Sequence, residues 1–436
     1  MVKWIVFVAL VVGATGPLAA AEWLELRNFK LFDGTGSEPR EVHRLVVKDG
    51  EIVAIDEADD EQRPAPGEAV TIIDLDGAFM MPGLIDTHVH LANWPMARHE
   101  LVNRLSWALD HGVTSLRDLG GDARVLAEIR RAAELGELDA PRIRIGAIFG
   151  GQSMFNHPAL AQASPGMAPG QAPWLREVSG EGDVSLMVAM ARGAGVDALK
   201  IYGNLGVTRV EELVAEAQQQ GMMAWAHATV FPASPQDLIS VGVQSLSHAP
   251  YLIWAGVESL PDDYGYRTKG PWDDIPPDHP GILDLLDEMA ERGVVLDATL
   301  AMYRDMTRYR PAEGIEWAMQ AFEWGVTVTR LAHERGVPVS VGTDAFFPPT
   351  LFEPPNTHVE IRALVKDVGL SPDQALVAAT RNGARAAGLD ELVGTVEVGK
   401  RADLVVLGSD PLSDIHATTD IDWVIFDGRI HRRPER

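Results

Sequence analysis

Two histidines that are two residues apart, His88 and His90, lie in a mostly apolar stretch from residue 81 to residue 91. In a β-strand alternate side chains face the same side, so both imidazoles project together, as does the carboxylate of Asp86. This arrangement provides half of a metal site. For an isolated pair of this kind, hydrogen-bonded histidines in a buried strand are the better explanation, so its meaning depends on partners elsewhere in the chain.

Other residues that can bind a metal end the neighbouring predicted strands. The last inward-facing residues of those strands include Lys200, His227, His248 and Asp344. In an α/β barrel the carboxyl ends of the strands form the catalytic rim, so these side chains should converge with His88 and His90. Four neutral imidazoles and one carboxylate suit Zn, Mn, Fe or Co. Because a typical catalytic zinc has only three protein ligands, the larger set predicts two metal ions if a group bridges them.

Lys200 is the candidate for that bridge. A protonated ammonium beside divalent metal ions is electrostatically disfavoured, whereas a lysine neutralised by burial can react with carbon dioxide and form a carbamate anion. Such a carbamate would span two metal ions. The alternative is a structural or substrate-binding lysine next to a single metal ion.

Strands and helices that alternate along the middle of the chain would position these residues. The predicted strands cover residues 83–90, 113–118, 143–149, 198–202, 223–227, 244–248, 294–299 and 338–344. Eight strands with helical crossovers indicate a parallel sheet, and their number favours a closed (β/α)8 TIM barrel over an open sheet. A final helix is predicted over residues 371–387. Two stretches, residues 156–174 and 250–280, interrupt this pattern as candidate lids or substrate loops, or as plain surface insertions.

Both ends of the chain are predicted to contain short strands that finish in Asp-Gly turns. We expect residues 22–80 and 391–436 to form one small β-sandwich domain beside a barrel that covers residues 81–390. Two separate β appendages are the alternative, but they would leave exposed strand edges, which proteins usually cover.

Composition excludes several classes of partner. The formal net charge of -26 argues against nucleic acid and against an anionic membrane surface, because both would be repelled at long range. The absence of cysteine removes thiolate nucleophiles and thiolate metal ligands. Any metal site must therefore use His, Asp, Glu or Lys, and the expected partner is a small molecule.

Residues 1–21 have the pattern of a cleavable secretory signal peptide, with Lys3, an apolar run and small residues before a cleavage site at Ala20 or Ala21. An uncleaved membrane anchor is disfavoured because the apolar run is too short to span a bilayer comfortably. We therefore expect a secreted or periplasmic protein with no membrane attachment after the signal peptide is removed.

The segments PGLIDTHVHL, TSLRDLGG, ALKIY, GTDA and VGTVEVGKRADLVVL occur in this order along the chain. Together they resemble the amidohydrolase superfamily of metal-dependent hydrolases, in particular its prolidase-like and imidazolonepropionase-like branch. The resemblance implies that Asp344 is a general base and proton shuttle for a metal-bridging hydroxide. The ligands that it implies are His88, His90 and Asp344 for one metal ion, His227 and His248 for the other, and carboxylated Lys200 as the bridge.

Three residues are weaker candidates. Tyr202 shares a face with Lys200 and could donate to a developing oxyanion, or only pack at the strand end. Members of this branch often have a Gly-Gly-His sequence after the third strand. The sequence here is GGQSMFNHP, so the corresponding histidine, His157, lies several residues further along the chain and is a candidate substrate residue. Arg304 could pair with a substrate carboxylate, or remain a solvated loop residue. Residues expected to support the site are Asp86, Arg117 and Asp118.

These observations predict an exported amidohydrolase with two divalent metal ions, preferably zinc, that cleaves an amide bond in a dipeptide or an N-acyl amino acid. The same site could hydrolyse a lactone, a cyclic amide or a phosphoester. An exported metal-binding or solute-binding protein without catalysis is the alternative from another class. Asp344 disfavours it, because a binding protein needs no base. The sequence leaves the oligomeric state open, with a homo-oligomer among the options.

Overall fold

A computed structural model of the protein describes residues 23–56, 64, 68–156, 158–178, 180, 182–309, 316–345 and 353–432. The predicted signal peptide and His157 lie outside the described residues. Among the described helices, none is both long enough and apolar enough to cross a membrane.

Eight parallel strands form a barrel in the order in which they occur along the chain. The first and eighth strands close it, because Thr87 N donates to Val341 O at 2.8 Å and Asp344 N donates to His88 O at 2.8 Å. The predicted (β/α)8 barrel is confirmed. Barrel strands 1 to 8 are Leu84–Val89, Val113–Asp118, Arg142–Gly150, Ala198–Ile201, Met223–His227, Ser245–Ser247, Val295–Asp297 and Val339–Ser340.

Helices with apolar faces pack around the barrel. In Ala123–Glu134, for example, the buried residues Ala123, Leu126, Ile129 and Ala132 recur every third position, and the Asp122 side chain caps the first turn. The α-helices are Arg98–Asp110, Ala123–Glu134, Pro158–Gln162, Val184–Gly193, Val207–Gln219, Pro235–Ser240, Pro280–Arg292, Leu300–Tyr309, Glu316–Glu334, Asn356–Ala363, Pro372–Ala379 and Arg381–Ala387. Shorter segments are the 3-10 helices Gln152–Asn156, Ala249–Gly256, Tyr264–Thr268 and Ile415–Thr419 and the π-helix Leu364–Val368.

The single final helix predicted over residues 371–387 is instead two helices. Thr380 separates them with φ -127° and ψ -89°, and its hydroxyl donates to Leu376 O at 2.7 Å. The second helix then packs directly on barrel strand 1, since a Cβ on Gly383 would lie 2.9 Å from the Cβ of Ile85. The break thus turns the chain so that its last helix supports the strand that carries His88.

Both chain ends contribute strands to one sheet, as the predicted fold class requires. Eight strands from both ends are connected by hydrogen bonds into one mixed sheet over a shared apolar core. The two ends meet where Phe79–Pro82 pairs antiparallel with Leu404–Leu407. The remaining strands are Trp23–Leu31, Arg40–Lys48, Glu51–Ile55, Val70–Asp74, Ile421–Phe426 and Arg429–Arg432, while Gln171–Ala172 and Leu175–Glu177 extend the barrel sheet instead.

His358 connects the barrel to the chain-end domain. It is fully buried in the helix Asn356–Ala363, with Nε2 at 3.0 Å from His111 O and Nδ1 at 3.1 Å from the hydroxyl of Thr418. Burial lowers the pKa of His358 to about 3. The folded protein therefore holds a neutral imidazole at this junction at neutral pH.

Replacement of His358 by Gln should change how stability depends on pH. The folded-state pKa lies below that of the unfolded chain, so protons favour the unfolded chain as the pH falls through about 6.5. Between pH 7 and pH 5, the advantage of wild type over His358→Gln in free energy of unfolding should shrink by about 2 kcal/mol. Urea unfolding of both proteins at pH 7 and at pH 5 measures this difference in the free energy of unfolding. The exposed His99→Gln is the control, and a difference independent of pH would contradict the assignment.

Candidate metal centre

The predicted metal ligands converge at one end of the barrel, because each lies at or just beyond the carboxyl end of its strand. The ring centroids of His88 and His90 are 5.4 Å apart, and those of His88 and His248 are 4.9 Å apart. His227 lies 4.9 Å from His248 by the same measure. Four imidazoles from three strands therefore form one continuous cluster.

Asp344 contacts two of these histidines. Its Oδ1 lies 3.2 Å from Nε2 of His88 and 3.0 Å from Nε2 of His90. Ligand atoms of His88, His248 and Asp344 all lie within 4.8 Å of one another, so one ion could contact all three. Both His248 and Asp344 have left-handed backbones, with φ of 73° and 50°, a conformation that non-glycine residues seldom adopt outside turns and functional sites.

Hydrogen bonds orient the imidazoles for metal binding. His227 Nδ1 lies 2.7 Å from Tyr202 O, and a carbonyl can only accept, so this nitrogen carries the proton and Nε2 keeps its lone pair. The Nδ1 atom of His248 similarly contacts the Thr299 hydroxyl at 2.9 Å. Burial lowers the pKa of His248 to about 3 and that of His227 well below its usual value, so both rings are neutral. Neutral rings with a fixed Nδ1 partner are typical metal ligands.

Asp297 supports His88 and is not among the residues predicted from the sequence. This fully buried carboxylate ends barrel strand 7, with Oδ2 at 2.6 Å from His88 Nδ1 and 3.3 Å from Arg117 Nη2. Gly342 leaves the room that it occupies, since a Cβ there would lie 1.9 Å from Asp297 Oδ1. The available signal was its position at the carboxyl end of strand 7, but a lone aspartate does not by itself indicate a metal site.

The other predicted supporting carboxylates fix backbone near the site. Asp86 accepts hydrogen bonds from the backbone N–H groups of His88 and Thr343, at 3.1 and 3.2 Å. Asp118 accepts from Leu91 N at 2.7 Å and from Gly121 N at 2.6 Å. Both aspartates therefore hold the turns after barrel strands 1, 2 and 8 that carry or border the ligands.

Lys200 lies fully buried in barrel strand 4 and donates to the hydroxyl of Ser247 at 2.7 Å. Burial, assisted by the charge of Arg117, lowers the pKa of Lys200 to about 7, and its charge acts on both His227 and His248. A large fraction of Lys200 is therefore a neutral amine beside two of the predicted metal ligands. The chemistry of this donor set fits divalent metal ions, including a carbamate on Lys200.

The field at His88 also favours a cation. Burial opposes the charged form of its ring, but the carboxylates of Asp297 and Asp344 on its two sides raise the pKa of His88 above the usual value. Positive charge is therefore stabilised between the two carboxylates. A divalent metal ion at the Nε2 side would supply that charge while His88 stays neutral.

A cavity of about 690 Å³ opens above the cluster, and His90, His227, His248 and Asp344 form its polar floor. Both predicted loops contribute to its wall: Asn156 comes from the first, and Tyr264 and Arg267 come from the second. The ring of Tyr264 stacks on His227 with centroids 5.1 Å apart and an angle of 8° between the planes. The volume suits a small-molecule substrate.

The weaker candidates have different positions. Tyr202 lines the cavity with its ring centroid 4.1 Å from that of His227, and burial raises its pKa to about 12. Arg304 lies in the helix Leu300–Tyr309 and does not line the cavity; its guanidinium pairs with Asp367 at 3.0 Å and with Asp305 at 3.3 Å. The guanidinium of Arg304 is therefore paired with two carboxylates of the protein outside the cavity, so the structure gives Arg304 no role in substrate binding.

Known proteins match this chain over most of its length, and a solved structure shares its fold. Residues 79–431 match the model of the amidohydrolase family. An imidazolonepropionase of Symbiobacterium thermophilum is 25% identical over 393 residues, 84% of this chain and 83% of the relative. A 5'-deoxyadenosine deaminase of Methanothermobacter thermautotrophicus is 26% identical over 432 residues, 86% of each chain. The crystal structure of a Xaa-Pro dipeptidase shares the fold, with a TM-score of 0.72 at 21% identity over 94% of this chain and 99% of that chain.

Replacement of Asp297 by Asn should weaken metal binding. The variant loses the charged acceptor that orients His88, and such outer partners typically change metal affinity by about 10- to 100-fold. The zinc dissociation constant, measured by competition with a chromophoric chelator, should rise by that factor. Asp284→Asn, an exposed substitution on the helix Pro280–Arg292, is the matched control. An unchanged dissociation constant in a folded Asp297→Asn protein would refute this role.

Proposed function

Because the chain belongs to the amidohydrolase family and acts as a hydrolase on carbon–nitrogen bonds, we propose that it cleaves an amide bond of a small substrate at a centre of two divalent metal ions. Dipeptides and N-acyl amino acids are the proposed substrates. The observation that carries this proposal is that Asp344, on the floor of the cavity, contacts both His88 and His90.

In this proposal the ligands divide into two groups around a shared bridge. His88, His90 and Asp344 would hold one ion, and His227 and His248 would hold the other. Carboxylated Lys200 would be the shared ligand, a role that its burial and lowered pKa favour. Imidazole nitrogen and carboxylate oxygen are common zinc ligands, so zinc is the proposed metal. When bound, the metal ions would polarise the substrate carbonyl and lower the pKa of a water.

The side chains of the protein account for the proton transfers. Burial opposes ionisation of Asp344, but the neighbouring imidazoles hold the pKa of its carboxyl group well below the usual value. Asp344 is therefore a carboxylate that can accept a proton from the attacking water and then pass it to the leaving amine. Tyr202 keeps its phenolic proton, since its pKa is raised to about 12, and can donate a hydrogen bond to the developing oxyanion.

Hydrolysis of a cyclic amide is the second candidate, favoured by the relative named imidazolonepropionase. Metal content separates the two candidates. About two equivalents per chain, in protein purified without chelators and with bicarbonate present, would support the bridged centre and the linear amides. About one would favour a mononuclear site with an unmodified Lys200 and would direct the substrate search to cyclic amides and lactones.

Replacement of Asp344 by Asn should leave most of the metal bound but reduce turnover by about 10²- to 10⁴-fold, because the amide cannot serve as the base. Elemental analysis and kcat on dipeptides and N-acyl amino acids measure both effects. Asp305→Asn is the control, because that carboxylate pairs with Arg304 outside the cavity. Full activity in Asp344→Asn would remove the assignment of the base.

Replacement of Lys200 by Ala should reduce metal content from two ions towards one per chain, because the bridging anion is lost. Short carboxylic acids such as acetate should restore part of the second ion, since their carboxylate can take the place of the carbamate. Elemental analysis with and without acetate gives the result, and the exposed Lys366→Ala provides the comparison. Two ions per chain in Lys200→Ala without added acid would show that the lysine is not the bridge.

A further inference from the structure

Arg267 lies in the short 3-10 segment Tyr264–Thr268, in the loop after barrel strand 6, and lines the cavity above the metal centre. Its guanidinium carbon lies 4.3 Å from the ring centroid of Tyr264. The same ring stacks on His227. A single aromatic side chain therefore contacts both the arginine cation and a metal-binding imidazole.

Among the described residues, Arg267 is the only lysine or arginine that lines this cavity, and no carboxylate pairs with it. Its hydrogen bond is to a neutral group, from Nη1 to Tyr264 O at 3.3 Å. The cavity carboxylate Asp263 instead accepts from Gly265 N at 2.6 Å. By contrast, Arg117 has Asp297 as its partner, and Arg304 has Asp305 and Asp367.

The absence of a carboxylate partner is informative in a chain with a net charge of -26. A partly buried guanidinium loses hydration, and it is stable there when an anion or an aromatic face compensates. Tyr264 supplies the aromatic face but leaves the N–H groups at the edge of the guanidinium plane available. That edge is the part of an arginine that binds a carboxylate through two parallel hydrogen bonds.

The segment that carries Arg267 has a fixed position relative to the barrel. Tyr264 N donates to Oδ1 of Asn204, a residue just beyond barrel strand 4, at 2.5 Å. The Tyr264 ring is buried between its aromatic neighbours, and burial raises its pKa well above the usual value, so it stays neutral. Arg267 is therefore held in place before a ligand arrives, which lowers the entropic cost of binding.

We propose, resting on the proposed function, that Arg267 binds the carboxylate of the substrate and restricts the enzyme to amides that carry a free carboxylate close to the scissile bond. The remaining wall contributes apolar and aromatic side chains, among them Met302, Met306 and Trp317, which suit the uncharged part of such a substrate. Arg267 thus selects the substrate class, while the metal centre performs the chemistry.

The test uses binding of two ligands to the metal-loaded enzyme, neither of which contains an amide bond. In 4-oxo-4-phenylbutanoate a methylene replaces the amide nitrogen of an N-acyl amino acid, and 1-phenylpentane-1,4-dione is its neutral counterpart. Isothermal titration calorimetry should give about ten- to hundredfold tighter binding of the acid by wild type, as expected for a charged hydrogen-bonded pair.

Arg267→Met should lose this preference, with weaker binding of the acid and unchanged binding of the dione. Arg267→Lys should keep part of it, because a point charge replaces the bidentate donor. Lys269→Met is the matched control, since Lys269 is exposed over the ring of Tyr266 and does not line the cavity. This control should behave as wild type.

A preference for the acid that persists in Arg267→Met would overturn the proposal, since the metal centre or another group would then be the anion site. Equal affinity of wild type for both ligands, or no binding of the acid, would also overturn it. Because no bond is cleaved in this titration, failure of the proposed function would appear separately, as absent amide hydrolysis by an enzyme that still prefers the acid.

Discussion

The buried guanidinium of Arg117 is the group on which the geometry of the candidate metal centre depends. It lies 4.8 Å above the ring of Trp225 in barrel strand 5, and it donates to Thr87 O in strand 1 and, at 3.0 Å, to Ala386 O in the last helix. Its remaining contact is Asp297 in strand 7, which in turn orients His88. Burial lowers its pKa to about 10, so it remains a cation at neutral pH. One charge thus connects three strands and a helix below the ligands.

The sheet formed by the two chain ends also holds barrel strand 1 in position, from outside the barrel. Phe79–Pro82 pairs with Leu404–Leu407 and then continues almost directly into barrel strand 1, so the strand with the His88 and His90 pair begins from a fixed edge. The helix Arg381–Ala387 packs on that strand through Gly383. Strand 1 is therefore held at its start by the sheet, along one face by a helix and below His88 by Arg117 and Asp297.

The sequence predicts the parts of the site that follow from regular structure. Because a parallel barrel brings all strand carboxyl ends to one rim, the position of Lys200, His227 or His248 on its strand was enough to predict their convergence. Asp297 obeys the same rule, but a single aspartate is also a common strand-ending residue, so its type carried no signal. Only the contact with His88 reveals its role.

Loop residues were not predictable, because their positions depend on contacts between distant segments. Glu360 accepts hydrogen bonds from the backbone N–H groups of Leu300 and Ala301, at 2.9 and 2.6 Å, and so begins a helix directly after barrel strand 7. Arg304 is held on that helix beside Asp367 instead of facing the cavity. Arg267, many residues beyond strand 6, reaches the cavity because Asn204 fixes its segment.

Because the predicted metal ligands lie at strand ends and Arg267 lies on a loop, substrate preference can change independently of the candidate metal centre. The predicted metal ligands lie at the strand ends, next to buried charges such as Arg117 and Asp297, where removal of one partner leaves another buried charge uncompensated. Arg267 lies on a loop, held by one backbone hydrogen bond and one aromatic ring, and none of the predicted metal ligands depends on it for a hydrogen bond. Substitutions of Arg267 can therefore alter which substrates bind while the candidate metal centre keeps its geometry, whereas substitutions around Arg117 should disturb both.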